Sequence, residues 1–213
     1  MRTRSLLACG VAAGPVFVGT YALTGRRAAG YDRRRDAVSM LARTDLGWTQ
    51  TLNFLVTGSL MWAGAAGLRR TLGSGPGARS LPALVAAAGS GLLGAGLFAT
   101  DTPEETQAHG LSRRGRLHVA SAVPFFVGLP AAGAVSGLRF ARQGRGGAKM
   151  ASMGTAVLSM VAATMAGAGF GRTDGWLFRW GGFFQRIAVA SALAWVSWFC
   201  WTVRSYQTAA GDR

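Results

Sequence analysis

Residues 81–100 read LPALVAAAGSGLLGAGLFAT, a run in which no side chain carries a formal charge. An α-helix rises about 1.5 Å per residue, so this run covers about 30 Å, the thickness of a bilayer's hydrocarbon core. Five further windows behave alike, with few or no charges: Ser5–Leu23, Gly47–Leu68, Leu117–Leu138, Lys149–Phe170 and Gly182–Val203. Backbone amides in lipid have no water to bond, so a spanning segment is either a helix or part of a closed barrel. Barrel strands alternate polar and apolar residues, and these runs do not. The expectation is an all-α polytopic membrane helix bundle with about six transmembrane helices, forming a single domain over residues 1–213.

Composition points the same way. Half of the residues are hydrophobic and only 15% are charged, too few ionised groups to coat a soluble domain of this size. The net charge of +15 comes almost wholly from arginine, Lys149 being the sole lysine. Those arginines lie between apolar runs instead of forming one stripe or arm, which reads as membrane flanks and excludes a nucleic-acid partner. The only two cysteines, Cys9 and Cys200, sit inside apolar runs and read as small buried hydrophobes. Arg4 and Cys9 are too close to enclose the about 7–15 apolar residues of a signal h-region, so the start reads as a retained first helix.

The stretches between the windows read as turns and water-facing loops. Gly25–Leu46 is rich in Arg and Asp, and Arg69–Ser80 holds Gly-Ser-Gly-Pro-Gly. Asp101–Arg116 opens with Asp-Thr-Pro-Glu-Glu, Arg139–Gly147 is rich in Gly and Arg, and Gly171–Gly181 mixes charges with Trp176, Phe178 and Trp180. A frayed end is expected after about Tyr206. Lys and Arg divide almost equally between the two membrane faces, so the positive-inside rule does not choose an orientation. All but one of the eight acids lie on one face. The reading takes that face as the outer one, with both termini cytoplasmic in a multi-pass cell-membrane protein.

Lipid tails provide no hydrophobic drive between helices, so close approach of small residues must hold them together. Candidates are Gly10/Gly14, Ala63/Gly67, Ser90/Gly94, Gly91/Ala95 and Ala163/Gly167/Gly171. Pro15, Pro124 and Pro130 fall within spans and are candidate kinks. Trp48, Trp195, Trp198 and Trp201 are read as an aromatic belt.

Polar residues that are costly in lipid gather toward the acid-bearing end. Gln50 and Asn53 are three apart and share a side of the second helix. Asp101 closes the third helix, His118 opens the fourth, and Gln185 with Arg186 opens the sixth. No ionisable group occupies the middle of a window, which argues against a pump or antiporter. Asp101, His109 and His118, with Glu104 and Glu105, are the only candidates for a metal or acid–base centre. Their spacing matches no metal motif, so no metal or cofactor is expected. Ser39 and Ser121 lack the context of an activated nucleophile, and no phosphate-cradling loop occurs.

Several short pieces recur in a distinctive order: Val38-Ser39-Met40-Leu41 after the Arg/Asp-rich loop; Gly47-Trp48-Thr49-Gln50 with Asn53-Phe54; Gly96-Leu97-Phe98-Ala99-Thr100-Asp101-Thr102-Pro103; Gly115-Arg116-Leu117-His118; and Gly182-Phe183-Phe184-Gln185-Arg186-Ile187. In this order the chain resembles, from about Leu6 to Val203, the uncharacterised bacterial membrane family called domain of unknown function 998. The resemblance implies a six-helix membrane protein and brings no activity, substrate or cofactor. Its pieces coincide with the polar cluster. The expectation is therefore that Ser39, Asn53, Asp101, His118, Gln185 and Arg186 form one pocket at the outer helix ends. There Asp101 would pair with Arg186 or His118, and the pocket would take a lipid headgroup or a small polar ligand. Membrane lipids are the expected partners, and no oligomeric state is set. An enzyme acting on lipid-borne substrates and a facilitator or transporter subunit are the alternatives.

Overall fold

The computed structural model describes residues 2–211, with side chains described through Tyr206. The fraying expected after Tyr206 lies outside the fully described residues. The chain forms α1 (Thr3–Arg27), a 3-10 helix (Val38–Arg43), α2 (Gly47–Thr71), α3 (Ser80–Leu97) and α4 (Pro103–His109). It continues through α5 (Arg113–Phe126), α6 (Gly128–Arg142), α7 (Gly146–Phe170) and α8 (Gly175–Gly211). No strand occurs among the described residues. Six stretches are long and apolar enough to cross a membrane: Thr3–Arg27, Gly47–Thr71, Ser80–Leu97, Arg113–Arg142, Gly146–Phe170 and Gly175–Tyr206. Each expected window falls on one of them, and the protein is an all-α polytopic bundle.

The spans close into a ring. α1 lies between α2 and α8, α2 packs on α3, α3 reaches both α5 and α6, and α7 joins α6 to α8. Glycines let the backbones meet. A Cβ on Gly64 of α2 would come within 2.8 Å of Gly10 Cα on α1, so a side chain there would force the helices apart. Outward, α7 exposes Val157, Leu158 and Val161, and α2 exposes Leu52, Val56 and Trp62. In water such faces would aggregate, whereas lipid tails are as apolar as the side chains that meet them.

The candidate kinks at Pro124 and Pro130 do mark a division of the fourth span, into α5 and α6 at Val127, where each proline removes a backbone donor while Val127 itself keeps helical bonds to Val123 O and from Ala131 N. Three expectations need correction. α8 begins at Gly175, so the aromatic stretch read as a loop is its first two turns. The small-residue stripe on α7 is not a packing seam, since Gly167 is exposed with nothing within 4 Å. Gly169 makes the approach instead, at 2.3 Å from a built Cβ to Leu177 O on α8. Trp195 is no belt residue: it is 3% exposed, stacks on Phe199 and donates Nε1–H to Ser136 Oγ at 3.2 Å. Trp48, at the start of α2, and Trp201, within α8, are exposed.

At the end opposite the acids, Arg139 of α6 fastens the α2–α3 loop. Its guanidinium donates to Leu72 O at 2.9 Å and to Ser74 O and Pro76 O, both at 3.1 Å. Hydrogen bonds from a charged donor are worth more than neutral ones, so Arg139→Ala is expected to cost about 2 kcal/mol. For a chain of this size that lowers the melting temperature in detergent by about 4–8 °C. Arg139→Lys should recover little, because an ammonium cannot reproduce the fork that spans these carbonyls. An unchanged melting temperature for Arg139→Ala would refute this role.

Candidate functional site

The first loop is not simply water-facing. Its 3-10 helix buries Val38 and Leu41 in the mouth of the bundle, and the segment before it is strapped along α8. Gly182 N donates to Arg35 O at 3.0 Å, Phe183 N to Arg34 O at 2.9 Å, and Arg186 Nη1 to Asp36 O at 3.1 Å. A Cβ on Gly182 would sit 2.3 Å from Asp36 O, so the strap lies directly on the α8 backbone. Two residues further, the Val38 amide donates to Gln185 Oε1 at 2.6 Å. That amide begins a short helix and has no partner within it, which the glutamine supplies.

Arg186 completes the strap. Besides Asp36 O, its guanidinium donates to Gly182 O at 2.9 Å and to the Tyr31 hydroxyl, and it lies over the rings of Tyr21 and Tyr31. The Tyr31 hydroxyl in turn donates to Ala37 O at 2.9 Å. Burial pushes the Tyr31 hydroxyl up to about 12, with the nearby Arg186 charge opposing the rise, so it stays a neutral donor at ordinary pH.

Asp101 does not pair with Arg186 or His118. Its carboxylate accepts from Ser112 N and Ser112 Oγ, both at 2.7 Å, and Ser112 Oγ in turn accepts from Gly115 N at 3.0 Å. This is a cap on α5, favoured by the partial positive charge of a helix N-terminus. The Ser112 bonds hold the Asp101 carboxyl below the usual carboxylate range. Gly115 leaves room for it, since a Cβ there would meet Asp101 Oδ2 at 2.0 Å. The neighbouring α4 is started by a capping box between Thr102 and Glu105, and Glu105 also holds Arg43 at 2.6 Å. Asp101, Arg43, Glu105, His109 and Arg114 line an open polar cleft of about 310 Å³. His118 is not among its residues. The candidate metal ligands are thus divided, and no group of three or more potential ligands occurs among the described residues.

The second recess is a wedge between α5 and α8. On either side of Val127, α5 follows α3 while α6 turns to α7, and α5 hardly touches α8. The partly open cavity left between them has a volume of about 50 Å³. Phe17, Phe54, Phe125, Phe126 and Ala122 supply its apolar wall, and Ser39, His118 and Gln185 its polar one. Gly91 lets α3 and α5 approach, a built Cβ lying 2.4 Å from Ser121 O. That approach brings His118 Nδ1 to Phe98 O at 2.8 Å, satisfying a carbonyl left open at the end of α3.

Three of the six expected residues, Ser39, His118 and Gln185, therefore share a cavity. Asn53 does not line it. Its Nδ2 donates to Phe17 O at 3.1 Å and to Gln50 Oε1 at 3.4 Å, inside the core. Asp101 and Arg186 shape the surrounding loops instead. Residues 11–202, which include the whole of the cavity lining, match the family described as protein of unknown function DUF998. The chain belongs to that family. No curated protein and no solved structure matches it. Sequence reasoning missed Tyr31 and the aromatic wall. An arginine near the start of a span without an acid one turn away was the available signal for an aromatic or carbonyl partner.

Proposed function

We propose that this DUF998 protein binds a membrane lipid, the polar end of the lipid seated in the wedge cavity and its chain lying in the gap between α5 and α8. The cavity carries this reading because it joins an aromatic wall to a small polar wall beside two helices that do not close on each other. Sites for small molecules characteristically pair a mostly apolar surface with a few placed polar groups. At about 50 Å³ the recess admits only about four water-sized groups, so it takes the end of a molecule whose remainder lies outside. The acid-bearing end is assigned to the outer face of the cell membrane, with both termini cytoplasmic, because the opposite face has basic loops almost free of acids.

Lipid extraction from the detergent-purified chain, followed by mass spectrometry, tests the reading. The wild type is expected to retain one lipid class well above its share of the membrane. Ala122→Trp, which fills the wedge, should lose that enrichment while the bundle keeps its melting temperature. Lipid content in proportion to the membrane, identical for both proteins, would overturn it.

A further inference from the structure

Resting on that lipid-binding reading, we infer that the cavity selects an uncharged, hydroxyl-bearing amphiphile such as a glyceride or fatty alcohol, and rejects lipids presenting a phosphate or carboxylate. The lining contains no Asp, Glu, Lys or Arg. Arg186, next to Gln185 in sequence, is committed to Tyr31, Asp36 O and Gly182 O and is not part of the wall. An anion placed here would surrender its hydration to a largely aromatic enclosure with no Lys or Arg to receive it.

The polar wall fits a hydroxyl head. A carbonyl oxygen can only accept, so the Nδ1 that meets Phe98 O carries the proton, and in the neutral ring Nε2 is left as a bare acceptor. Gln185 has spent Oε1 on the Val38 amide, which leaves its NH2 as a donor. Ser39 Oγ has no partner among the described residues and can serve either way. One acceptor, one donor and one hydroxyl match a group that both gives and takes a hydrogen bond, as an alcohol beside an ester does. A doubly ionised phosphate gives none, and would leave His118 Nε2 facing a second acceptor.

Monooleoylglycerol and oleoyl lysophosphatidic acid share a chain and a glycerol and differ by the phosphate, so their dissociation constants on the full chain in detergent test the inference directly. Monooleoylglycerol is expected to bind at least tenfold more tightly. His118→Asn places an amide N–H where Nδ1–H stood, keeping the bond to Phe98 O, and removes the second ring nitrogen. It should weaken monooleoylglycerol about fivefold, the worth of one neutral hydrogen bond, without changing the weak binding of the phosphate. Ser39→Ala, at a half-buried position of the 3-10 helix, should weaken it similarly and stands in if His118→Asn does not accumulate. Equal or tighter binding of the phosphate lipid, or no effect of either variant, would overturn the selectivity while leaving the lipid site in place. Binding of neither lipid, together with an Ala122→Trp protein indistinguishable from wild type, would remove both.

Discussion

Gly182→Val is expected to lift the first loop off α8 and so remove one wall of the wedge cavity. The new Cβ would lie 2.3 Å from Asp36 O and 2.9 Å from Arg35 C, both backbone atoms that cannot swing aside as a side chain can. Relief requires the strap to move, and its bonds go with it: Gly182 N to Arg35 O, Phe183 N to Arg34 O and Arg186 to Asp36 O. Each bond is worth about 1 kcal/mol net, so roughly 3 kcal/mol is at stake. A melting temperature lower by about 6–12 °C follows for a chain of this size. The site-specific readout is amide hydrogen exchange, which should rise sharply over residues 31–41 and remain native in α2 and α3. Gly154→Val on α7, where nothing lies within 4 Å of a built Cβ, is the control and should change little. Native exchange over 31–41 in Gly182→Val would show that the strap is not held as described.

The strap also shows which parts of the molecule its sequence displays. Spans are legible because hydrocarbon thickness fixes a length and a charge cannot hide within it; Leu81–Thr100 could be little else. The gathering of polar groups at one end is legible for the same reason, since alternating helices return every second end to one surface. Which way each polar side chain turns is not. Asp101 had the choice of a distant arginine or a serine hydroxyl and amide in the same loop, and the local cap won because it needs no precise fit between helices. The Gly181-Gly182 pair read as the boundary of a loop, yet it marks a close approach inside α8. Composition cannot separate those two uses of glycine. Trp195 looked like a belt residue only while its span was taken to end at Val203, short of the end of α8 at Gly211.

Gly58→Leu is expected to prevent assembly of the bundle, because α2 and α3 meet at this point through bare backbone. A Cβ on Gly58 would lie 2.7 Å from Gly89 O, and a Cβ on Gly89 would lie 2.9 Å from Gly58 O. Each glycine therefore faces the other's carbonyl, and neither helix can yield without separating the pair. Overpacking a tight contact by a methylene or two costs about 1–3 kcal/mol, and a leucine adds more than that. No hydrophobic drive restores the contact in lipid, so helices held apart lose the dispersion along the whole seam. Gel filtration in mild detergent should give wild-type behaviour for neither Gly58→Leu nor Gly89→Leu, and Gly58→Ala should fold with a melting temperature lowered by several degrees. Reciprocity adds a sharper expectation. Once Gly58→Ala has pushed the helices apart, Gly89→Ala meets a relieved contact, so the double variant should lose less stability than the two single losses added together. Strict additivity would mean that the two sites are strained independently, and a monodisperse Gly58→Leu protein melting with the wild type would mean that the backbones do not meet there at all.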